Sequence, residues 1–267
     1  KEMLKKINIK RSDITYVGIG SPGTVDSIRG IIVTSNNIVM KHFPMVEAFR
    51  SHFDIPVYID NDANCAALGE IYNGAAKGHD TAIMITLGTG IGGGVIINKK
   101  IYGGSFNAGA ELGHTVIVSG GEQCTCGRRG CWEAYASATA LIRQAKKAAE
   151  SNPGSILNKY LAENGRISGR TVFEAAKKGD KAAKAVVDEY ILYVAEGITN
   201  LVNIFRPEVV LVGGGIAEQG ETLFAPIRDY VQKYNFTGDL LELPEIKQAK
   251  LGNDAGILGA AMLAEGA

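Results

Sequence analysis

Three of the four cysteines in this 267-residue chain, Cys124, Cys126 and Cys131, fall within eight residues, and His114 precedes them by ten. The spacing His114-x9-Cys124-x-Cys126-x4-Cys131 offers three thiolates and one imidazole. That is the ligand set of a closed, structural zinc site, with no position left for a catalytic water. Gly120, Gly121, Gly127 and Gly130 allow the segment to double back so that all four donors can converge. The bland alternative is a set of small buried residues beside an unrelated histidine. The crowding of the thiols into one glycine-rich stretch favours the metal, and the absence of an export signal sets disulfides aside.

Carboxylates flank this cluster. Glu111 lies three residues before His114 and Glu133 two after Cys131, so a bound metal would hold two carboxylates on one scaffold, suited to the hydroxyls of a sugar. A solvated surface charge is the other reading of each. Asp62, in Asp60-Asn61-Asp62-Ala63-Asn64, sits where a strand runs into a helix. It suits a general base beside a bound hydroxyl, and equally the N-cap of the helix.

Two glycine runs could meet phosphates. Gly88-Thr89-Gly90-Ile-Gly-Gly93 matches G-x-G-x-x-G in form, but a strand pattern follows where the dinucleotide fingerprint needs a helix. No Gly-Lys-Ser/Thr follows either, which excludes a P-loop. What remains is a glycine hairpin whose N–H groups, with the Thr89 hydroxyl, could approach phosphate oxygens; a plain tight turn is the alternative. Gly213-Gly214-Gly215 ends the apolar run Val209–Val212, where α/β sheets bind ligands and where close helix–strand packing would use the same glycines.

The elements that must position these residues alternate. Strands are expected at 14–19, 30–34, 57–60 and 81–87, a strand, turn and strand across 95–102, and a strand again at 209–212. Helices are expected at 63–72, 134–149, 171–178 (Thr171 as N-cap, Glu174 at the capping-box position), 182–205, 221–234 and 254–264. Met3, Leu4 and Ile7 share one helical face at the start. Mixed strands and helices with glycines at strand ends indicate an α/β architecture. Lys and Arg together number 28, as do Asp and Glu, so the neutral total gives no support for a nucleic-acid or anionic-membrane partner. No apolar run approaches the roughly 18 to 20 residues that span a bilayer. The start carries no signal-peptide pattern, and the expected location is the cytoplasm.

Taken together, Gly18-Ile-Gly-Ser-Pro-Gly-Thr-Val25, Asp60 to Glu70, Leu87 to Gly94, Glu111-Leu-Gly-His114, Cys124-Thr-Cys-Gly-Arg-Arg-Gly-Cys-Trp-Glu133 and Val212-Gly-Gly-Gly-Ile216 resemble the ROK family of bacterial sugar kinases and sugar-responsive repressors, its glucokinase members most of all. The resemblance spans essentially the whole chain. It implies an actin/hexokinase-like (ribonuclease-H-like) two-lobe fold with a zinc knuckle and a cleft between the lobes. Residues 1–62 would be the remainder of a small N-terminal lobe, joined by a C-terminal helix at 253–267, and residues 63–252 the large lobe. It implies ATP-dependent phosphorylation of a hexose 6-hydroxyl, glucose foremost, with Asp62 as base and Asn37, Asn61, Asp62, Glu111, His114 and Glu133 as sugar ligands. Thr89, Gly90, Gly213, Gly214 and Gly215 would face ATP, Mg²⁺ would neutralise phosphate charge, and structural Zn²⁺ would sit on His114, Cys124, Cys126 and Cys131. His114 would touch zinc with one ring nitrogen and sugar with the other. A homodimer is implied as well.

The family's opening strand and Asp-x-Gly-Gly-Thr turn have no match here. The expectation is that part of the small lobe is absent, and that this polypeptide by itself does not phosphorylate. Two rivals stand: a kinase of N-acetylmannosamine or another hexose, and a sugar-responsive ROK transcriptional repressor. Retention of Asp62 and of both glycine loops favours the kinase.

Overall fold

Short apolar runs that end in polar turns become the strands of this chain, described by a computed structural model for residues 6, 8–35, 39–52 and 54–266. The expected helical face of Met3, Leu4 and Ile7, and the candidate sugar ligand Asn37, lie outside the described residues. In chain order the first elements are strands β1 (Val17–Ser21), β2 (Thr24–Asp26), β3 (Ile31–Ser35) and β4 (Met40–Phe43), helix α1 (Met45–Arg50), strand β5 (Val57–Asn61) and helix α2 (Asp62–Asn73). Strands β6 (Ala82–Leu87), β7 (Ile91–Ile97) and β8 (Lys100–Ile101) follow, then helices α3 (Glu133–Ala136), α4 (Ala138–Ser151), α5 (Ile156–Asn164), α6 (Gly169–Lys177) and α7 (Lys181–Phe205). The chain closes with β9 (Val209–Gly213), α8 (Glu221–Tyr234), β10 (Glu245–Gln248), α9 (Ala255–Ala260) and α10 (Leu263–Gly266). The expected α/β architecture is present.

Contacts divide the chain into two units. One comprises residues 1–80, 94–110 and 253–267, the other residues 81–93 and 111–252. In the first unit β1 and β5 pair in parallel, from Val17 opposite Val57 to Ser21 opposite Asn61. Strands β2, β3 and β4 form an antiparallel sheet. Its small core joins Val25, Ile32 and Ile59 to the partly buried Ile19, Met40, Met45 and Val46. Helices α2 and α9 touch backbone to backbone. A Cβ at Gly69 would lie 2.4 Å from the Ala255 carbonyl oxygen, and one at Gly259 would lie 1.6 Å from that of Cys65. This is the close packing expected of the small-residue C-terminal segment. It also groups α2 with the first unit, so the division by contacts runs elsewhere than after Asp62.

In the second unit the sheet takes the order β10, β9, β6, β7. Strands β6 and β9 are parallel, with Thr86 opposite Gly213. Strand β7 begins here and runs on into the first unit, where β8 pairs with its end. It starts at Ile91, earlier than expected, so Gly92 to Gly94 are strand residues; Gly93 leaves room for Leu112, whose Cδ1 would lie 2.7 Å from a Cβ there.

The expected helix at 134–149 is broken by Ser137, whose side chain caps α4 by accepting from the Ala140 N–H. Helix α6 is capped by Ser168, not Thr171. Thr171 occupies the third helical position, where its hydroxyl accepts from the Ser168 N–H at 2.9 Å and its own N–H donates to the Ser168 hydroxyl at 3.2 Å. A serine three residues before a threonine makes the reciprocal box, and Glu174 has no part in it. Among the described residues no helix is long and apolar enough to cross a membrane.

Candidate active site and metal centre

In the first unit, the parallel pairing of β1 with β5 delivers Asp60, Asn61 and Asp62 to the start of α2. Asp and Asn both suit an N-cap, and here Asn61 takes the position. Its Oδ1 accepts from the N–H groups of Ala63 (2.8 Å) and Asn64 (3.3 Å), and its Nδ2 donates to the Gly23 carbonyl (3.0 Å). Asp62 is therefore not the cap. It is the first helical residue, exposed, with its carboxylate at the positive end of the helix.

Behind it Asp60, 8 % exposed, accepts from the Asn61 N–H (2.7 Å) and from Asn64 Nδ2 (2.8 Å). Burial pushes its carboxyl above the ordinary carboxylate range, with those two hydrogen bonds acting in the other direction. Sequence reasoning passed over Asp60, although a carboxylate closing the apolar strand Val57–Ile59 was the available signal. The fourth cysteine, Cys65, is fully buried on α2, and burial followed by the charges of Asp60 and Asp62 pushes its thiol far up. It packs and does not react.

In the second unit, the segment from Glu111 to Glu133 is built almost without regular structure. Isolated bridges join Val116 to Cys131 and Gln123 to Arg129, and the turn at Cys124 closes through Cys124 N–H to Arg128 O (2.9 Å) and Gly127 N–H to Cys124 O (3.1 Å). Gly130 has φ of +86°, and a Cβ there would lie 1.7 Å from the Val118 carbonyl oxygen, so only glycine fits. The result gathers the four expected donors. His114 Nδ1 lies 3.6 Å from Cys124 Sγ, Cys126 Sγ lies 3.6 Å from Cys131 Sγ, and all four ligand atoms fall within 4.8 Å of one another. Tetrahedral zinc with bonds of about 2.3 Å to sulfur and about 2.0–2.1 Å to nitrogen requires edges of about 3.8 Å and about 3.5 Å. The donor set fits the ion in kind, number and spacing.

The thiols respond unequally to their crowding. Burial, then the neighbouring thiols, pushes Cys131 up to about 12, while the Arg128 backbone N–H holds the exposed Cys126 below its ordinary value. A bound dication would offset the cost of ionising them together.

Glu111 is exposed and opens the turn Leu112–His114, with its carbonyl accepting from the His114 N–H at 3.0 Å. Glu133 begins α3. Its Oε2 accepts from the Ile91 N–H (3.0 Å) and its Oε1 from the Thr125 hydroxyl (3.1 Å). The hairpin 88–91 is held on its carbonyl side too: the Ala138 N–H donates to Gly88 O (2.8 Å) and the Thr139 hydroxyl to Thr89 O (2.7 Å). The Gly88 N–H closes the turn on Gly90 O (3.1 Å).

Parallel pairing of β6 with β9 sets the second glycine loop beside the first. Gly214, at φ +86°, packs so closely that a Cβ would lie 2.4 Å from Leu87 O. The two loops thus share the carboxyl ends of adjacent parallel strands, where α/β sheets take ligands. The second unit therefore brings together His114, Cys124, Cys126, Cys131 and Glu133, and sets both glycine loops side by side. Asn61 and Asp62 belong to the first.

The comparisons with known proteins fit this arrangement. The ROK family pattern matches residues 1–267. A glucokinase of Thermotoga maritima is 40% identical over 252 residues, spanning 93% of this chain and 78% of that protein. A glucokinase of Halalkalibacterium halodurans is 38% identical over 254 residues, spanning 95% of this chain and 77% of that one. The crystal structure of a ROK family glucokinase from Streptomyces griseus, in complex with glucose and AMPPNP, superposes with a TM-score of 0.81 at 39% identity, covering 94% of this chain and 81% of its own. With its motifs in order and its fold matched, the chain belongs to the ROK family.

Proposed function

We propose that this protein transfers the γ-phosphoryl group of ATP to the 6-hydroxyl of a hexose, glucose foremost. The observation that carries the reading is the likeness, over 94% of the chain, to a glucokinase that holds glucose and a nucleotide analogue. Asp62 supports it, because its carboxylate is exposed and, with Asn61 as the cap, only its Oδ1 meets the helix start, at the Ala63 N–H (2.9 Å). As general base it would accept the hydroxyl proton while the sugar oxygen bonds to the γ-phosphorus and the bond to the ADP oxygen breaks.

Glu111, His114, Glu133, Asn61 and Asn37 are the proposed hydroxyl partners. One Nδ2 hydrogen of Asn61 already serves Gly23, so its second is the one left for a sugar. With His114 Nδ1 turned to the thiols, its Nε2 is left to face substrate, and metal ligation would fix that tautomer. Zinc on His114, Cys124, Cys126 and Cys131 would hold this segment in shape. Thr89, Gly90 and Gly213 to Gly215 would line the phosphates and adenosine, with Mg²⁺ neutralising phosphate charge. A cytoplasmic homodimer completes the proposal.

The test is a coupled ADP-release assay on the full-length protein with glucose, mannose, N-acetylmannosamine and N-acetylglucosamine. The expected preference is glucose. Asp62→Ala should lose turnover by a factor of about 10² or more while sugar still binds. An unchanged kcat would end the base assignment.

A further inference from the structure

Gly90 lies outside the left-handed region, yet a side chain there would have to displace a carboxylate. The three heavy atoms nearest to a Cβ there belong to Glu133, with Oε2 at 2.3 Å. The carboxylate lies across the hairpin, and its two oxygens face different neighbours. Oε2 takes the Ile91 N–H at the start of β7, and Oε1 takes the hydroxyl of Thr125, with the Cys124 thiol 3.7 Å away. Thr125 stands between Cys124 and Cys126, and Glu133 stands two residues after Cys131. Both ends of this short bridge are therefore anchored to the proposed metal ligands, while its middle reaches the hairpin.

The opposite side of the hairpin is held through its carbonyls by Ala138 and Thr139 at the start of α4. The carboxylate is the contact that ties its N–H side to the cysteine–histidine knuckle. A carboxylate beside a phosphate-binding turn repels phosphate unless its charge is held by donors in a fixed orientation. A metal-bound Cys124 thiolate has no proton to give, so with the Thr125 hydroxyl removed the carboxylate would pivot about the Ile91 N–H.

We propose that Thr125 is a positioning residue. Its hydroxyl fixes Glu133 across the Gly88–Ile91 hairpin, so the affinity of the hairpin for nucleotide depends on a contact made inside the knuckle. This rests on the reading of that hairpin as the phosphate loop.

The experiment is isothermal calorimetry of AMPPNP binding to the full-length protein without sugar, with zinc measured on every sample. The forms are wild type, Thr125→Val, Thr125→Ser, Glu133→Ala and Thr125→Val/Glu133→Ala. Thr125→Val should bind about three- to tenfold more weakly, the worth of one hydrogen bond to a charged group at a solvent-exposed site. Thr125→Ser, which keeps the hydroxyl, should bind as wild type, zinc should be unchanged, and Thr125→Val should add nothing once Glu133 is alanine.

Wild-type affinity in Thr125→Val, or a full additional loss in the double variant, would overturn the bridge while leaving the phosphate-loop reading intact. Loss of zinc and of binding in valine and serine forms alike would overturn it in favour of a purely structural threonine. Absence of AMPPNP binding by wild type would remove the phosphate-loop reading and this inference with it.

Discussion

At single residues, function here depends on what is small as much as on what is charged. Trp132, the one tryptophan of the chain, is fully buried and stands in sequence between the candidate ligand Cys131 and the carboxylate Glu133, and its Nε1 donates to the Tyr193 carbonyl at 2.7 Å. It fits because Gly197 of α7 has no side chain: a Cβ would lie 2.0 Å from the ring. Alanine is the better helix former by about 1 kcal/mol, but forcing an atom into this contact costs about 1–3 kcal/mol. Gly197→Ala should therefore lose up to roughly 2 kcal/mol in urea unfolding followed by tryptophan fluorescence; a gain in stability would show that the ring has room to move. The gathering of His114, Cys124, Cys126 and Cys131 was legible in the sequence because their chemistry is rare and their spacing short. Asp60 and Thr125 were not, since a carboxylate or hydroxyl gains its role from partners that only the fold supplies. Nor could the sequence decide which of two adjacent good caps, Asn61 or Asp62, would cap α2.

Among the elements, helix starts do more than begin helices. Asp180 caps α7 through Ala183 N–H (2.8 Å) and also accepts from the Ile156 N–H, where α5 starts under the cap of Ser155. One carboxylate thus pins two helices. Burial raises its pKa, but the hydrogen bonds from Ala183, Ile156 and Ser155 outweigh burial, so the net shift is downward. A depressed folded-state pKa contributes stability above the unfolded value of about 3.9, lost as pH falls through the folded pKa. Asp180→Ala should cost about 1–3 kcal/mol near pH 7, and its deficit should shrink below about pH 4. Guanidinium titrations at both pH values would check this, and an undiminished deficit in acid would exclude a role for the charge. The long helix α7 was legible because twelve of its residues are buried at helical spacing. Helix α5 buries only Leu157 and strand β10 only Ile246, so neither carried a periodic apolar signal. Helix α1 buries none, and it too went unread.

Across the whole molecule, the α/β class could be read from alternating strands and helices, and the resemblance implied that residues 253–267 join the first unit, but the placing of residues 94–110 there was not legible. Residues 94–110 and 253–267 return to the first unit through contacts far apart in sequence, such as that of Gly259 with Cys65. The same long-range view separates the knuckle from the rest of its own unit. Cys124, Cys131, Ala134 and Tyr135 form a small core of their own, capped by Ile117, Val118 and Tyr193. Outside it and the anchor of Trp132 on α7 the segment is held by isolated bridges and turns, whereas β9 is buried along its length between parallel neighbours. Regions with few buried contacts and little regular hydrogen bonding open at a lower free energy than the global transition. Removing the proposed zinc with a chelator should therefore raise hydrogen exchange across residues 111–133 while the centre of α7 and strand β9 keep their protection. Because Glu111, His114 and Glu133 ride on that segment, hexose affinity measured on the same samples should fall before global unfolding begins. Loss of protection in β9 together with the knuckle would instead make the metal a support of the entire unit, and its link to substrate an indirect one.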